Sequence, residues 1–202
     1  MKIGINGYEA VIPRFGYDKE SGLPNRVGSS AYCFELLVGL NRIDKENNYL
    51  IYLPQKPTKD MPLERENWKY KVIPARKLWT LTRLSFELLK KQPKLDIFFS
   101  PTHYLPFSSP SKSVISILDV SYLHFPNMFA KKDLYKLKFW GELSIKKAKK
   151  IITISNSSKS DIIKEYGVSS NKVVVVYPGV KSEIRNSKSE TNLKFKMQNS
   201  KL

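Results

Sequence analysis

A chain of 202 residues with 41% hydrophobic and 12% aromatic content can fill one core and is too short for two full domains. Its 35 Lys+Arg against 18 Asp+Glu leave a formal charge of +17, which favours anionic partners (phosphate-bearing substrates, acidic lipid headgroups, nucleic acid) without choosing among them. The single cysteine, Cys33, excludes a disulfide framework and a thiolate metal site, no apolar window is long enough to span a bilayer, and Met1–Gly7 is too short and Gly-broken for a signal-peptide core, so the expected compartment is the cytoplasm.

Residues 2–6 alternate around Ile3 and Ile5, as a first strand does. A polar loop punctuated by Gly16, Gly22 and Pro24 follows, and Gly28-Ser29-Ser30 then opens a helix on which Tyr32, Leu36, Leu40 and Ile43 recur at helical spacing. Ser29 or Ser30 is expected to cap it. Residues 48–53 and 70–73 read as the second and third strands, 78–91 as a helix, and 95–100 as a strand ended by Pro101. A strand over 113–118 stops at Asp119, a basic helix is expected over 131–150, and 151–155 is the next strand. Asn156–Tyr166 is a helix with Ser and Asn at its start and Gly167 at its end. Five consecutive β-formers over 173–177 then meet Pro178-Gly179, which predicts a last strand buried inside the sheet and covered on both faces. Strands alternating with helices imply an α/β fold with a doubly wound, mostly parallel, Rossmann-like sheet over residues 1–180. Residues 181–202 are polar, with isolated Ile184, Leu193, Phe195 and Met197, and are expected to be a disordered tail.

Ligands of open parallel sheets bind beyond the carboxyl ends of the strands, here the loops after residues 6, 100, 118 and 155. Gly7, and Gly28 with Ser29 at a helix N-terminus, would let a phosphate approach unpaired N–H groups, although no G-x-G-x-x-G is present. His103, on a loop held between Pro101 and Pro106, is placed to hydrogen-bond a hydroxyl or phosphate, or to act as a structural hydrogen-bonder. Asp119 at a strand end suits sugar hydroxyls or a turn cap. His124 lies among apolar residues and is expected to be packed or turn-bonded. His103, Asp119 and His124 lack metal-ligand spacing, so no metal is expected. On a helical wheel of 131–150, Leu134, Leu137, Trp140, Ile145 and Ala148 form a core arc, whereas Phe139 and Leu143 fall among lysines that include Lys136 and Lys147. That face suits an anionic membrane surface or a partner domain, or is simply solvated. Residues 76–91, with Arg76, Lys77, Trp79, Arg83 and Phe86, are a second face of the same kind.

Several blocks together resemble the N-terminal domain of the family 4 glycosyltransferases of GT-B fold, including mannosyltransferase-like members. They are Gly28–Leu40, Asp96–Pro106 with Ser100-Pro-Thr-His103, Ile117-Leu-Asp119-Val-Ser121 with Phe125-Pro126, Ile151–Ile163 and Val174–Val180. The resemblance implies an acceptor-side domain of a retaining enzyme that moves a sugar from a UDP- or GDP-linked donor to a glycan or lipid-linked acceptor, with no cofactor or metal. It places His103, Asp119 and Ser155 on the acceptor side of a cleft and Gly7, Gly28 and Ser29 near the donor diphosphate, and it names no catalytic residue. Members often read Gly-x-Gly-Arg-Tyr where this chain has Gly28-Ser29-Ser30-Ala31-Tyr32, and His-Asp where it has Leu118-Asp119. The family's Glu-x7-Glu element belongs to a second domain, and no two glutamates here have that spacing. A donor domain missing from this chain, encoded separately or lost, is therefore expected, with the chain inactive alone. A non-catalytic module docking on an anionic membrane's inner face or on a partner transferase subunit is the alternative, and nucleic acid is not an expected partner because no nucleic-acid motif accompanies the charge.

Overall fold

The computed structural model describes residues 1–74, 78–90 and 93–179, so Arg76, Lys77, Val180 and the tail 181–202 lie outside the described residues. Within them β1 (Lys2–Asn6), α1 (Tyr8–Val11), α2 (Ser29–Ile43), β2 (Asn48–Leu53), β3 (Trp68–Val72), α3 (Arg83–Leu89) and β4 (Ile97–Ser100) form the first half. β5 (Ser113–Ser116), α4 (Ser121–His124), α5 (Lys131–Lys136), α6 (Glu142–Lys147), β6 (Lys150–Thr153), α7 (Asn156–Tyr166) and β7 (Val173–Val175) complete it. The strands make one sheet of order β3-β2-β1-β4-β5-β6-β7, and every neighbouring pair is parallel. This is the doubly wound, Rossmann-like sheet the alternation of elements requires. Strand order reverses between β1 and β4, so the crevice rule places the ligand site at their carboxyl ends.

Period-two alternation splits the strand side chains between two cores. On one face Tyr52, Phe98, Ile115, Ile151 and Val173 pack under Leu84 and Leu88 of α3, Ile145 of α6 and Ile162 of α7. On the other, Ile5, Ile51, Trp68 and Phe99 pack under Ala10 and Val11 of α1 and Cys33 and Leu37 of α2. Cys33 is fully buried, and its thiol is pushed upward by desolvation.

Several local expectations change. β7 is an edge strand of three residues, not a buried interior one: Val173 is covered, but Val174 is 43% and Val176 51% exposed. An apolar run has the same composition at an edge as in a sheet's middle, so its position came only from the strand order. The helix expected from residue 78 begins at Arg83, because Leu78 has φ 49° and residues 78–82 close tight turns onto the Leu78 carbonyl. The basic helix is two short α segments joined by a π-helical stretch, Leu137–Gly141, and it ends at Lys147 where Ala148 turns extended. The wider π turn rotates the buried side, so Gly141, Ser144, Ile145 and Ala148 are buried, whereas Leu134, Leu137 and Trp140 are only partly so. Neither serine caps α2: Gly28 is the N-cap at φ 55°, and Ser30 instead closes back on Val27, accepting from its N–H at 3.0 Å and donating to its carbonyl at 2.9 Å. His124 is exposed, its Nε2 3.7 Å from Asp161, rather than packed.

Candidate functional site

At the carboxyl end of β1 sits Asn6, fully buried, and its amide ties together the two halves of the sheet. Nδ2 donates to Ser100 Oγ at the end of β4 (3.0 Å) and to Thr80 Oγ1 (3.3 Å), while Oδ1 accepts from the Tyr8 N–H (3.1 Å). A buried amide with its hydrogen bonds made is rigid, because releasing any of them leaves a polar group desolvated. Ser100 Oγ in turn donates to the Tyr104 carbonyl at 2.7 Å, and the Leu105 N–H donates to Ser144 Oγ at 2.9 Å. These bonds pin the loop that carries His103.

His103 and Asp119, nominated separately from the sequence, come together. The imidazole lies against the Asp119 backbone, feels its carboxylate, and meets the Tyr122 ring edge-on at 6.5 Å. Burial holds the imidazole below its ordinary pKa despite Asp119, so at neutral pH it is an uncharged ring. Asp119 itself is exposed and accepts from the Ser121 N–H at 2.9 Å, which fixes the turn into α4. An imidazole and an exposed carboxylate thus stand on the same rim of the sheet, chemistry suited to binding hydroxyl groups.

Other side chains at this edge were not visible in the sequence. Tyr8 stacks on Trp79 at 5.6 Å, and Trp79 Nε1 donates to the Ile73 carbonyl at 2.7 Å. Glu9, buried, is ion-paired with the half-exposed Arg14, whose charge also reaches His103 and Tyr104. Desolvation nevertheless raises the Glu9 carboxyl. Asn6 had one usable signal, a polar side chain ending an apolar strand just before a glycine. Arg14 had none, and Trp79, nominated from the sequence for an outer basic face, is instead buried at 1% exposure.

The remaining nominated residues have mixed placements. Gly7 is required by packing: a Cβ there would stand 2.7 Å from both Ile51 Cγ2 and Leu53 Cδ2. Gly28 lines a hollow of about 560 Å³ together with Ala31, Tyr32 and the segment 176–179 that follows β7, and Ser29 is the first residue of α2. Ser155 caps α7, its Oγ accepting from the Ser158 N–H at 3.0 Å. On the basic face Phe139 and Leu143 are each 46% exposed. Lys136 is paired with Asp133 at 3.0 Å, and Lys147 donates to the Pro106 and Phe107 carbonyls. Lys147 is therefore committed to a loop, and the aromatic part of this surface is larger than the sequence indicated: Phe107 and Phe139 both pack edge-on against Trp140, and Tyr135 stacks on Phe139. Among the described residues no His, Cys, Asp and Glu cluster is placed to hold a metal, and no helix is long and apolar enough to cross a membrane.

Comparison with known proteins bears on this arrangement. The model of Glycosyltransferase Family 4 matches residues 31–184. Among curated proteins, the O-antigen chain mannosyltransferase RfbU of Salmonella typhimurium is 32% identical over 79 residues, 39% of this chain and 22% of its own length. Among solved structures, HepE of Anabaena in complex with UDP-glucose superposes with a TM-score of 0.53 at 15% identity, covering 98% of this chain and 50% of its own. The chain thus spans about half of that solved structure and less than a quarter of that curated relative.

Proposed function

The chain belongs to glycosyltransferase family 4, and we propose that residues 1–180 are the acceptor-side domain of a retaining transferase that moves a sugar from a UDP- or GDP-linked donor to a glycan or lipid-linked acceptor. The observation that carries this is the meeting of His103 and Asp119 beside the β1/β4 switch point, on a loop made rigid by Asn6 and Ser100. A neutral imidazole and an exposed carboxylate there would hold acceptor hydroxyls in one orientation, and orientation supplies much of the rate in transfer between two bound substrates. HepE was solved with UDP-glucose, which supports a nucleotide-sugar as the donor. Gly28, at the N-terminus of α2, would lie near its diphosphate, and Gly7 shapes the neighbouring turn.

Transfer also needs the nucleotide held and its leaving charge neutralised. Those tasks fall to a donor-binding domain that the described residues do not contain, so the chain by itself would not turn over. The test is sugar transfer from UDP-glucose and GDP-mannose to a lipid-linked glycan, with the chain alone and after addition of a family 4 donor domain. No product alone and product on mixing is the expected result, and transfer by the chain alone would overturn the requirement for a second domain. His103→Ala and Asp119→Ala should each lower the reconstituted rate by about 10²-fold, the scale of a lost positioning or proton-handling group.

The aromatic cluster of Phe107, Tyr135, Phe139 and Trp140, bordered by Lys131, Lys132 and Lys138, supports a peripheral contact with an anionic membrane on the cytoplasmic side, where a lipid-linked acceptor would be presented. Vesicles containing phosphatidylglycerol should retain the protein, and Phe107→Ser with Phe139→Ser should release it.

A further inference from the structure

Arg14 follows β1 and α1 on the carboxyl rim of the sheet, and the chain around it is held firmly. At the end of α1, Arg26 Nε donates to the Ala10 carbonyl at 2.7 Å and Gln55 Nε2 to the Val11 carbonyl at 2.8 Å. A tight turn follows, with the Arg14 N–H on the Ile12 carbonyl at 2.9 Å and the Gly16 N–H on the Pro13 carbonyl at 3.2 Å. Glu9 grips Arg14 Nη2, and the two side chains are unequally placed: Glu9 is 7% exposed and Arg14 50%. Burying a carboxylate costs stability that an apolar side chain at the same place would not. Glu9 Oε2 has no hydrogen-bond partner among the described residues, so the polar role of this carboxylate is to fix the direction of the guanidinium. A guanidinium carries five N–H donors, and among the described residues only Nη2 of Arg14 is engaged.

The same rim carries the candidate site. β1 and β4 are neighbours, and Asn6 accepts from the Tyr8 N–H while donating to Ser100, which in turn holds the Tyr104 carbonyl. One run of hydrogen bonds therefore joins α1, which carries Glu9, to the loop of His103, and the Arg14 charge acts on both His103 and Tyr104. Phe15 and Tyr17 are 57% and 55% exposed on a backbone that is closed on itself. Asn25 Nδ2 donates to the Phe15 carbonyl at 3.2 Å, the Asn25 N–H to the Gly16 carbonyl at 3.0 Å, and Tyr17 is bridged to Pro24. Exposed aromatic rings on a fixed backbone offer apolar faces against which sugar rings pack. The hollow at the start of α2, assigned above to the donor side, contains neither Arg14 nor Glu9. We propose that Arg14, oriented by Glu9, binds the carboxylate or phosphate of an acidic sugar in the acceptor, with Phe15 and Tyr17 as the adjoining apolar surface. The assignment rests on the acceptor-side reading above. An arginine takes two oxygens of such a group at once, and a chain of charge +17 draws anions to its surface.

The test is equilibrium binding to the full chain alone, at physiological ionic strength, with glucuronate, glucose 1-phosphate, pyrophosphate and glucose as probes. One acidic sugar at least should bind about 10-fold more tightly than either glucose or pyrophosphate, and the tighter of the two identifies the anionic group. Arg14→Gln should weaken it by about 10-fold, the scale of a lost charge-assisted hydrogen bond. Lys69→Gln, which removes the same charge from an exposed position on β3, should leave it unchanged. Glu9→Gln raises the net charge of the chain and should nevertheless weaken binding several-fold, because the guanidinium is no longer held. The proposal is overturned if neither acidic sugar binds, or if pyrophosphate binds as tightly as they do. It is also overturned if Arg14→Gln and Lys69→Gln lose affinity equally, or if Glu9→Gln binds more tightly than the wild type. With a donor domain added, Arg14→Gln should raise the KM of an acidic acceptor and leave that of the donor unchanged, and a raised donor KM would likewise overturn it. Absence of transfer in that mixture, with the Arg14-dependent binding intact, would count against the transfer reaction and leave the subsite standing.

Discussion

The two faces of one sheet are finished differently. On the face under α3, α6 and α7, Ile115, Ile151 and Val173 are at most 1% exposed, whereas their immediate neighbours Val114, Ile152 and Val174 point to the other face and remain partly open. The residue types are the same, and the strands are the same. What differs is only which helices come back to cover each side, and on the second face α1 and α2 cover the β1–β3 half and stop short of β7. The comparison shows that apolar content in a parallel strand reports its membership of a sheet and says little about how well either side is sealed.

Adjacent residues test this most directly. Ile151→Ala should cost about 2–5 kcal/mol in urea unfolding, as for a large-to-small change in a closed core, while Ile152→Ala should cost less than about 1.5 kcal/mol. Equal costs would mean that the second face is as well packed as the first. A smaller contrast lies within the second face: Gly7→Ala overpacks Ile51 and Leu53 and should cost about 1–3 kcal/mol, whereas Gly39→Ala in α2, with nothing near a new Cβ, should stabilise by about 0.5–1 kcal/mol. Helix starts give a third pair. Ser155→Ala removes a side-chain cap and should cost about 1 kcal/mol, and Ser29→Ala removes none and should be near neutral in the same assay.

The last prediction is the smallest and concerns pH. Burial lowers the His103 pKa below its ordinary value of 6.5, so the unfolded chain takes up the proton more readily than the folded one. Stability contributed by this group is therefore present above pH 6.5 and is lost as the pH falls through that value toward the folded pKa. Unfolding followed from pH 7.5 to 5.5 should show that decline, and His103→Gln should flatten it; an unchanged slope would place His103 in water.

Much of the site edge was legible because it follows from local rules. His103 stands between two prolines after a strand, Asp119 follows the next strand directly, and parallel topology then places both loops on one rim. Their contact was not legible, since it depends on the β4–β5 register and on the Ser100–Tyr104 bond. Asn6 was passed over because an asparagine before a glycine reads as a turn, and its value comes from Ser100, which lies 94 positions away. On the basic segment the wheel placed Ile145 and Ala148 inward and Phe139 and Leu143 outward as the structure does, whereas the five-residue π stretch that divides the helix left no periodic signal.

Local interactions within a few residues settled which segments form strands and the limits of α7 with its Ser155 cap and Gly167 stop, and the ordered blocks along the chain were enough to identify a family 4 glycosyltransferase. Tertiary structure alone decided that β7 is an edge, that one face of the sheet stays open beside it, and that the His103 imidazole lies against the Asp119 backbone. The reason is range: propensity and capping act between neighbours in the chain, whereas coverage, desolvation and the meeting of loops depend on which distant segments share a surface.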